Sequence, residues 1–109
     1  MVRPRRFEVW LVSLDPTRGT EIQKTRPCVV VSPDELNRNL QTVIVAPMTT
    51  VSRDYPTRVA VRFAGKSGAV VLDQIRTVDR TRLLRRLGFL PSADARRVCE
   101  VLVELFAWD

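Results

Sequence analysis

Apolar residues recur at helical spacing over only one long stretch of this chain, at Ala95, Val98, Cys99, Leu102, Leu105 and Phe106. One amphipathic helix therefore closes the chain, and nearly everything before it must be built another way. What precedes is a series of short runs rich in Val, Ile and Leu, each stopped by proline, glycine or a polar cluster. Phe7 to Leu14 reads as a strand that ends at Asp15-Pro16. Pro27 to Val31 reads as a central strand with its proline in the first position, and Thr42 to Pro47 as a third. Thr57 to Phe63 alternates in part, and Gly65 and Gly68 bracket a turn. Ala69 to Leu72 enters a fifth strand, which the pattern lets continue to Val78. Leu83-Leu84 opens a short segment that ends at Gly88. Five or six short strands with one late helix predict a mainly β fold, a small and strongly bent sheet or barrel with the helix laid on it. With 109 residues the chain is read as one domain, 1–109.

Two helix starts are written in the sequence. Ser32-Pro33-Asp34-Glu35 offers Ser32 as a cap and Glu35 to close a capping box, with Asn37-Arg38-Asn39 keeping that helix short. Ser92 is read as the cap of the last helix, with Asp94 in its first turn.

The chain has no histidine, which excludes imidazole catalysis and histidine metal ligation. Cys28 and Cys99 stand far apart and form no local ligand pair, so a zinc ribbon, a C-x-x-C redox site and a Cys-His nucleophile all fail. No metal or other cofactor is expected. Two isolated cysteines suit a reducing cytosol, no secretory pattern opens the chain, and no apolar run approaches the roughly 18 residues of a membrane span. A cytoplasmic protein with no membrane partner is expected.

Eighteen Lys and Arg against 12 Asp and Glu leave a net charge of +6. Lys24 and Lys66 are the only lysines, so the excess is arginine, whose planar fork matches phosphate and stacks on bases. A polyanionic partner follows as one reading; an arginine-rich codon preference is the other. Two polar loops offer places to bind it, residues 15–26 and roughly Thr49 to Pro56. Loops this long in a compact domain often carry function. Arg18, Lys24, Arg53 and Arg58 lie in or beside them as candidate phosphate contacts, and Tyr55, the only tyrosine, could stack on a base. Gly19 permits a turn or a close approach of backbone.

Several ordered segments resemble one known family. Val9-Trp10-Leu11-Val12 with Leu14-Asp15-Pro16, then Gly19-x-Glu21, then Arg26-Pro27, is similar to the opening of the MazF/PemK toxin endoribonucleases. Asn37-Arg38-Asn39, Val43 to Thr49 and Asp73-Gln74-Ile75-Arg76-Thr77-Val78-Asp79 continue the likeness in the same order, and the terminal helix fits. The resemblance covers about residues 6 to 107. It implies an SH3-like barrel with a C-terminal helix, a homodimer, and metal-independent cleavage of single-stranded RNA at short sequence motifs. It also implies 2′,3′-cyclic phosphate and 5′-hydroxyl ends, and a cognate antitoxin whose C-terminal segment covers the RNA groove.

Cleavage of that kind uses the substrate's 2′-hydroxyl as nucleophile. The protein must meet charge on the phosphorane oxygens and help protonate the leaving oxygen. Arg26, at the junction of the first loop and a core strand, resembles the family's catalytic arginine; its high pKa suits charge stabilisation better than base catalysis. Thr49 resembles the catalytic threonine, with Thr50 one residue away. Glu21 matches an acidic position of the family and could orient Arg26 or take a proton. Gln74 could read a base edge or hold a loop, and Arg76 could contact substrate or brace the barrel. Some members pair an aspartate at the Asp73 position with an arginine two residues earlier. Here that residue is Val71, which favours an Arg26/Thr49 centre with Asp73 in a binding role. Trp10 is read as core or dimer interface, with base stacking as the alternative. Two other functions stay open: a same-fold toxin that poisons a protein target such as DNA gyrase, and a noncatalytic nucleic-acid-binding barrel.

Overall fold

A computed structural model describes residues 3–51 and 54–109. Seven strands and two α-helices occur among them. β1 is Glu8–Ser13, β2 Thr25–Val30, α1 Asp34–Asn39, β3 Thr42–Thr49, β4 Arg58–Phe63 and β5 Lys66–Val71. A 3₁₀ turn, Leu72–Gln74, leads to β6, Arg76–Asp79; a second, Arg80–Arg82, leads to β7, Leu83–Phe89, and α2 is Ser92–Leu105. All pairings are antiparallel, and the sheet runs β4-β5-β3-β2-β1-β7.

β3 organises the fold because three strands share it. β2 pairs with it from Val45 to Pro47, β6 from Thr42 to Val45, and β5 through Met48 and Thr49. The sheet therefore splits where β5 gives way to β6, and it curls instead of lying flat. Strict alternation along the central strands covers both faces. Val9, Val29, Val31, Ala46 and Met48 face one core with Val59, Val70 and Leu72. Val12, Leu14, Cys28, Val30, Val43 and Val45 face the other, with Val78 and Leu83. The period-2 pattern of the sequence is this two-sided packing.

α2 lies on the first core through Ala95 and Val98, with Val101 and Leu102 partly covered. The terminal part of its apolar stripe does not reach that core: Val103 and Phe106 are exposed, and Trp108 almost wholly so. Both expected serine caps differ from the observed ones. Pro91 and Pro33 occupy the cap positions, and neither helix has a side-chain cap hydrogen bond. Ser32 is drawn inward: its hydroxyl donates to Asn37 Oδ1 at 2.5 Å and accepts from the Ile44 amide at 3.1 Å. Inside the protein such a pairing satisfies buried polar atoms, and this outweighs capping an exposed helix end.

Candidate active site

Arg26 and Thr49 are brought to one cleft of about 390 Å³. Arg26 is held from below by the ladder, because β2 begins at Thr25 and Arg26 pairs with Val12 of β1. The first loop is thus shorter than the polar sequence suggests. The guanidinium Nε donates to the Gln23 carbonyl at 3.2 Å, which leaves its other nitrogens free to meet a ligand. Thr49 ends β3 opposite Ala69 of β5. Its hydroxyl donates to the Val51 carbonyl at 3.2 Å and accepts from the Val51 amide at 3.1 Å, so the chain turns about it.

The remaining cleft lining includes Pro27, Met48, Phe63, Lys66, Gly68 and Leu87. Among the described residues no carboxylate lines it, while Arg26 and Lys66 supply two cations. A space with cations, a hydroxyl and no acid suits a phosphodiester. In the sequence Gly68 marks only a turn and Lys66 only a charge. The available signal was glycine inside a strand pattern, which marks close approach of another backbone. A Cβ built on Gly68 would stand 2.4 Å from the Thr49 carbonyl oxygen. Only glycine lets β5 meet Thr49 so closely.

Glu21, Asp73, Gln74 and Arg76 line a neighbouring cavity of about 550 Å³ with Leu14, Ile22 and Pro47. Pro47 of β3 lines this second cavity, and the next two residues of the strand, Met48 and Thr49, line the first. Glu21 does not pair with Arg26; its carboxylate accepts the Arg18 amide across a tight loop turn, with Gly19 at φ 57° inside it. Gln74 holds that loop, its Oε1 accepting from the Ile22 amide at 2.7 Å and its Nε2 donating to the Thr20 carbonyl at 3.4 Å. Arg76 braces the loop's start by donating to the Leu14 carbonyl at 3.0 Å.

Asp73 has the arginine that position 71 lacks. Arg58 stands directly across the ladder from Val71 and reaches Asp73 with Nε and Nη2, each at 3.3 Å. Thr57 adds a hydroxyl at 3.0 Å. Burial pushes the Asp73 carboxyl up, but the hydrogen bonds from Arg58 and Thr57 outweigh it and hold the group below the ordinary carboxylate value. Cross-strand placement is invisible to a motif read along the chain.

The other candidates divide. Arg18 and Lys24 are exposed on the first loop. Tyr55 is half exposed, with the Arg58 guanidinium 4.9 Å from its ring centre. Arg53 lies outside the described residues. Trp10 packs against the second core, and its indole donates to Glu8 at 3.1 Å, which agrees with the core reading. Among the described residues no three His, Cys, Asp or Glu side chains gather where they could hold a metal ion, and no helix is long and apolar enough to cross a membrane.

The family model of the PemK-like, MazF-like toxins of type II toxin–antitoxin systems matches residues 5–106. The chain belongs to this family. Among its relatives is the endoribonuclease MazF9 of Mycobacterium tuberculosis, 36% identical over 109 residues that span 90% of this chain and 92% of that protein. The crystal structure of MazF from Deinococcus radiodurans superposes with a TM-score of 0.86 at 26% identity, covering 99% of this chain and all of the other. An endoribonuclease in complex with its cognate antitoxin, from a mycobacterial species, gives 0.81 at 26% identity over 97% of this chain and 99% of that one. The curled antiparallel sheet with its C-terminal helix is therefore the PemK/MazF architecture.

Proposed function

We propose that this toxin is a sequence-specific endoribonuclease that cuts single-stranded RNA without a metal ion and is restrained by a cognate antitoxin. The observation that carries the reading is the meeting of Arg26 and Thr49 in one cleft that has Lys66 and, among the described residues, no carboxylate. In this mechanism the 2′-hydroxyl oxygen of the upstream nucleotide attacks phosphorus and its proton passes to solvent water. The bond from phosphorus to the 5′-oxygen breaks, and that oxygen takes up a proton from water. The products are a 2′,3′-cyclic phosphate and a 5′-hydroxyl. Arg26 meets the charge that develops on the phosphorane oxygens and hydrogen-bonds the leaving oxygen. Thr49 hydrogen-bonds a phosphate oxygen. Glu21, Asp73, Gln74 and Arg76 form the wall along which neighbouring nucleotides lie, and Arg18 and Lys24 extend it as phosphate contacts and Tyr55 as a base contact; Arg53, outside the described residues, is a further phosphate contact in this reading.

The whole chain, 1–109, acts as one domain, and its curled sheet is an SH3-like barrel. Two copies associate as a homodimer in the cytoplasm. Incubating the purified protein with a defined single-stranded RNA in EDTA tests the activity. Discrete fragments with cyclic-phosphate ends are expected. Intact RNA with inhibited DNA supercoiling would instead favour a gyrase poison, and binding without either effect a noncatalytic barrel.

A further inference from the structure

The 3₁₀ turn between β5 and β6 reaches in two directions at once. Its first residue, Leu72, is fully buried, and its amide donates to the Thr57 carbonyl at 3.0 Å. Asp73 faces the junction of the second polar loop with β4, accepting from Thr57 and from both Nε and Nη2 of Arg58. Arg58 in turn covers the Tyr55 ring, and its own amide donates to the Tyr55 carbonyl at 3.0 Å. The next residue, Gln74, faces the first loop and takes both the Ile22 amide and the Thr20 carbonyl. Two adjacent side chains thus tie the first loop, at Thr20 and Ile22, to the end of the second, at Thr57 and the first residue of β4.

We infer that Leu72–Gln74 is a clamp that sets the spacing between the two loops, and that Arg58 is the positioning residue that locks it, so that the toxin discriminates among RNA sequences. The loop contacts at Arg18, Lys24 and Tyr55 can select a short motif only if both loops stand at a fixed separation. Arg58 acts through Asp73 and the turn, not on the reacting phosphate. This inference rests on the ribonuclease reading for its consequence, but the clamp has a readout of its own.

The test compares the full-length protein with Arg58→Ala, Arg58→Lys and Thr57→Val. Hydrogen exchange at the Ile22 amide reports the first loop, on the far side of the turn from Arg58. Exchange should rise about threefold or more in Arg58→Ala and return toward wild type in Arg58→Lys. Cleavage of a randomised single-stranded RNA pool should show the preferred-to-near-match ratio of kcat/KM falling by about fivefold in Arg58→Ala, the scale of losing a partly exposed ion pair. Thr57→Val should move both readouts the same way, by less, and it decides the matter if Arg58→Ala fails to fold. Unchanged Ile22 exchange in the folded variants overturns the clamp. Raised exchange with undiminished selectivity overturns the role in discrimination. A wild-type protein that cuts no RNA overturns the ribonuclease reading instead, while the exchange result still decides the clamp.

Discussion

Gly68→Ala should damage the cleft through the backbone of Thr49. The added Cβ would sit 2.4 Å from the Thr49 carbonyl oxygen and 3.2 Å from its carbon, with Thr50 Cα at 3.5 Å. All three neighbours are backbone, so no side chain can swing aside. Reaching even 3.0 Å requires a shift of 3.0 − 2.4 = 0.6 Å, and comfortable contact requires about 1 Å. Overpacking of this kind costs about 1–3 kcal/mol. For a domain of this size that lowers Tm by about 4–12 °C. The displaced residue is Thr49 itself, and a misplacement near 1 Å can cost about 100-fold in rate. We therefore expect kcat to fall by roughly 10- to 100-fold in protein that remains folded at assay temperature. The assay is fluorogenic cleavage of a short single-stranded RNA, paired with a thermal melt. A Gly68→Ala protein with wild-type Tm and turnover would refute the close approach and the role given to Thr49.

Other outcomes follow from the same geometry. Arg26→Ala should lose about 100- to 1,000-fold in single-turnover cleavage, as when a charge-stabilising donor is removed, and Thr49→Ala about 10-fold; loss in Thr50→Ala with a normal Thr49→Ala would move the site by one residue. Burial pushes the Cys28 thiol up to about 12, against a smaller pull from Arg76 and Arg26. The folded state keeps that proton while the unfolded chain releases it above pH 9.0, so stability should decline between pH 9 and 12 by up to about 1.4 kcal/mol per unit. Melts of Cys28→Ala, which lacks this group, should show a shallower alkaline decline; an identical one would contradict the burial. Val103, Phe106 and Trp108 leave one end of α2 uncovered, and sedimentation at micromolar concentration should show a dimer, twice 12.5 kDa, and not a single chain.

The strands were legible because burial on both faces forces β-branched alternation, and the terminal helix because one side of it packs on a sheet. Their ends were less so. Thr25 and Arg26 look like loop, yet pairing with Ser13 and Val12 draws them into β2. Lys66 to Gly68 look like a turn but form the start of β5, since backbone pairing asks little of an exposed side chain. The continuous strand expected from Ala69 to Val78 is broken at Leu72, because β3 accepts β5 and β6 on separate parts of its length. At the site, the resemblance pointed to Arg26 and Thr49, but their shared cleft is a product of the β2–β3–β5 pairing. Arg58 looks like a phosphate contact in the sequence because nothing along the chain says that it lies opposite Val71. Ser32 and Ser92 look like caps in the sequence because local capping chemistry cannot see a competing buried partner or a neighbouring proline.

Replacement of one sugar in the substrate bears most directly on the proposed chemistry. A single-stranded RNA carrying a 2′-deoxy nucleotide immediately 5′ to the scissile phosphate keeps its backbone charge, so it should bind the Arg26 cleft and weaken with salt as the unmodified strand does. Without the 2′-hydroxyl it should not be cut, in EDTA or with divalent ions, while the unmodified strand is cut equally in both and ends in a cyclic phosphate. Efficient cutting of the deoxy-substituted strand would mean that water or a protein side chain attacks the phosphorus, and the substrate-assisted mechanism would be wrong.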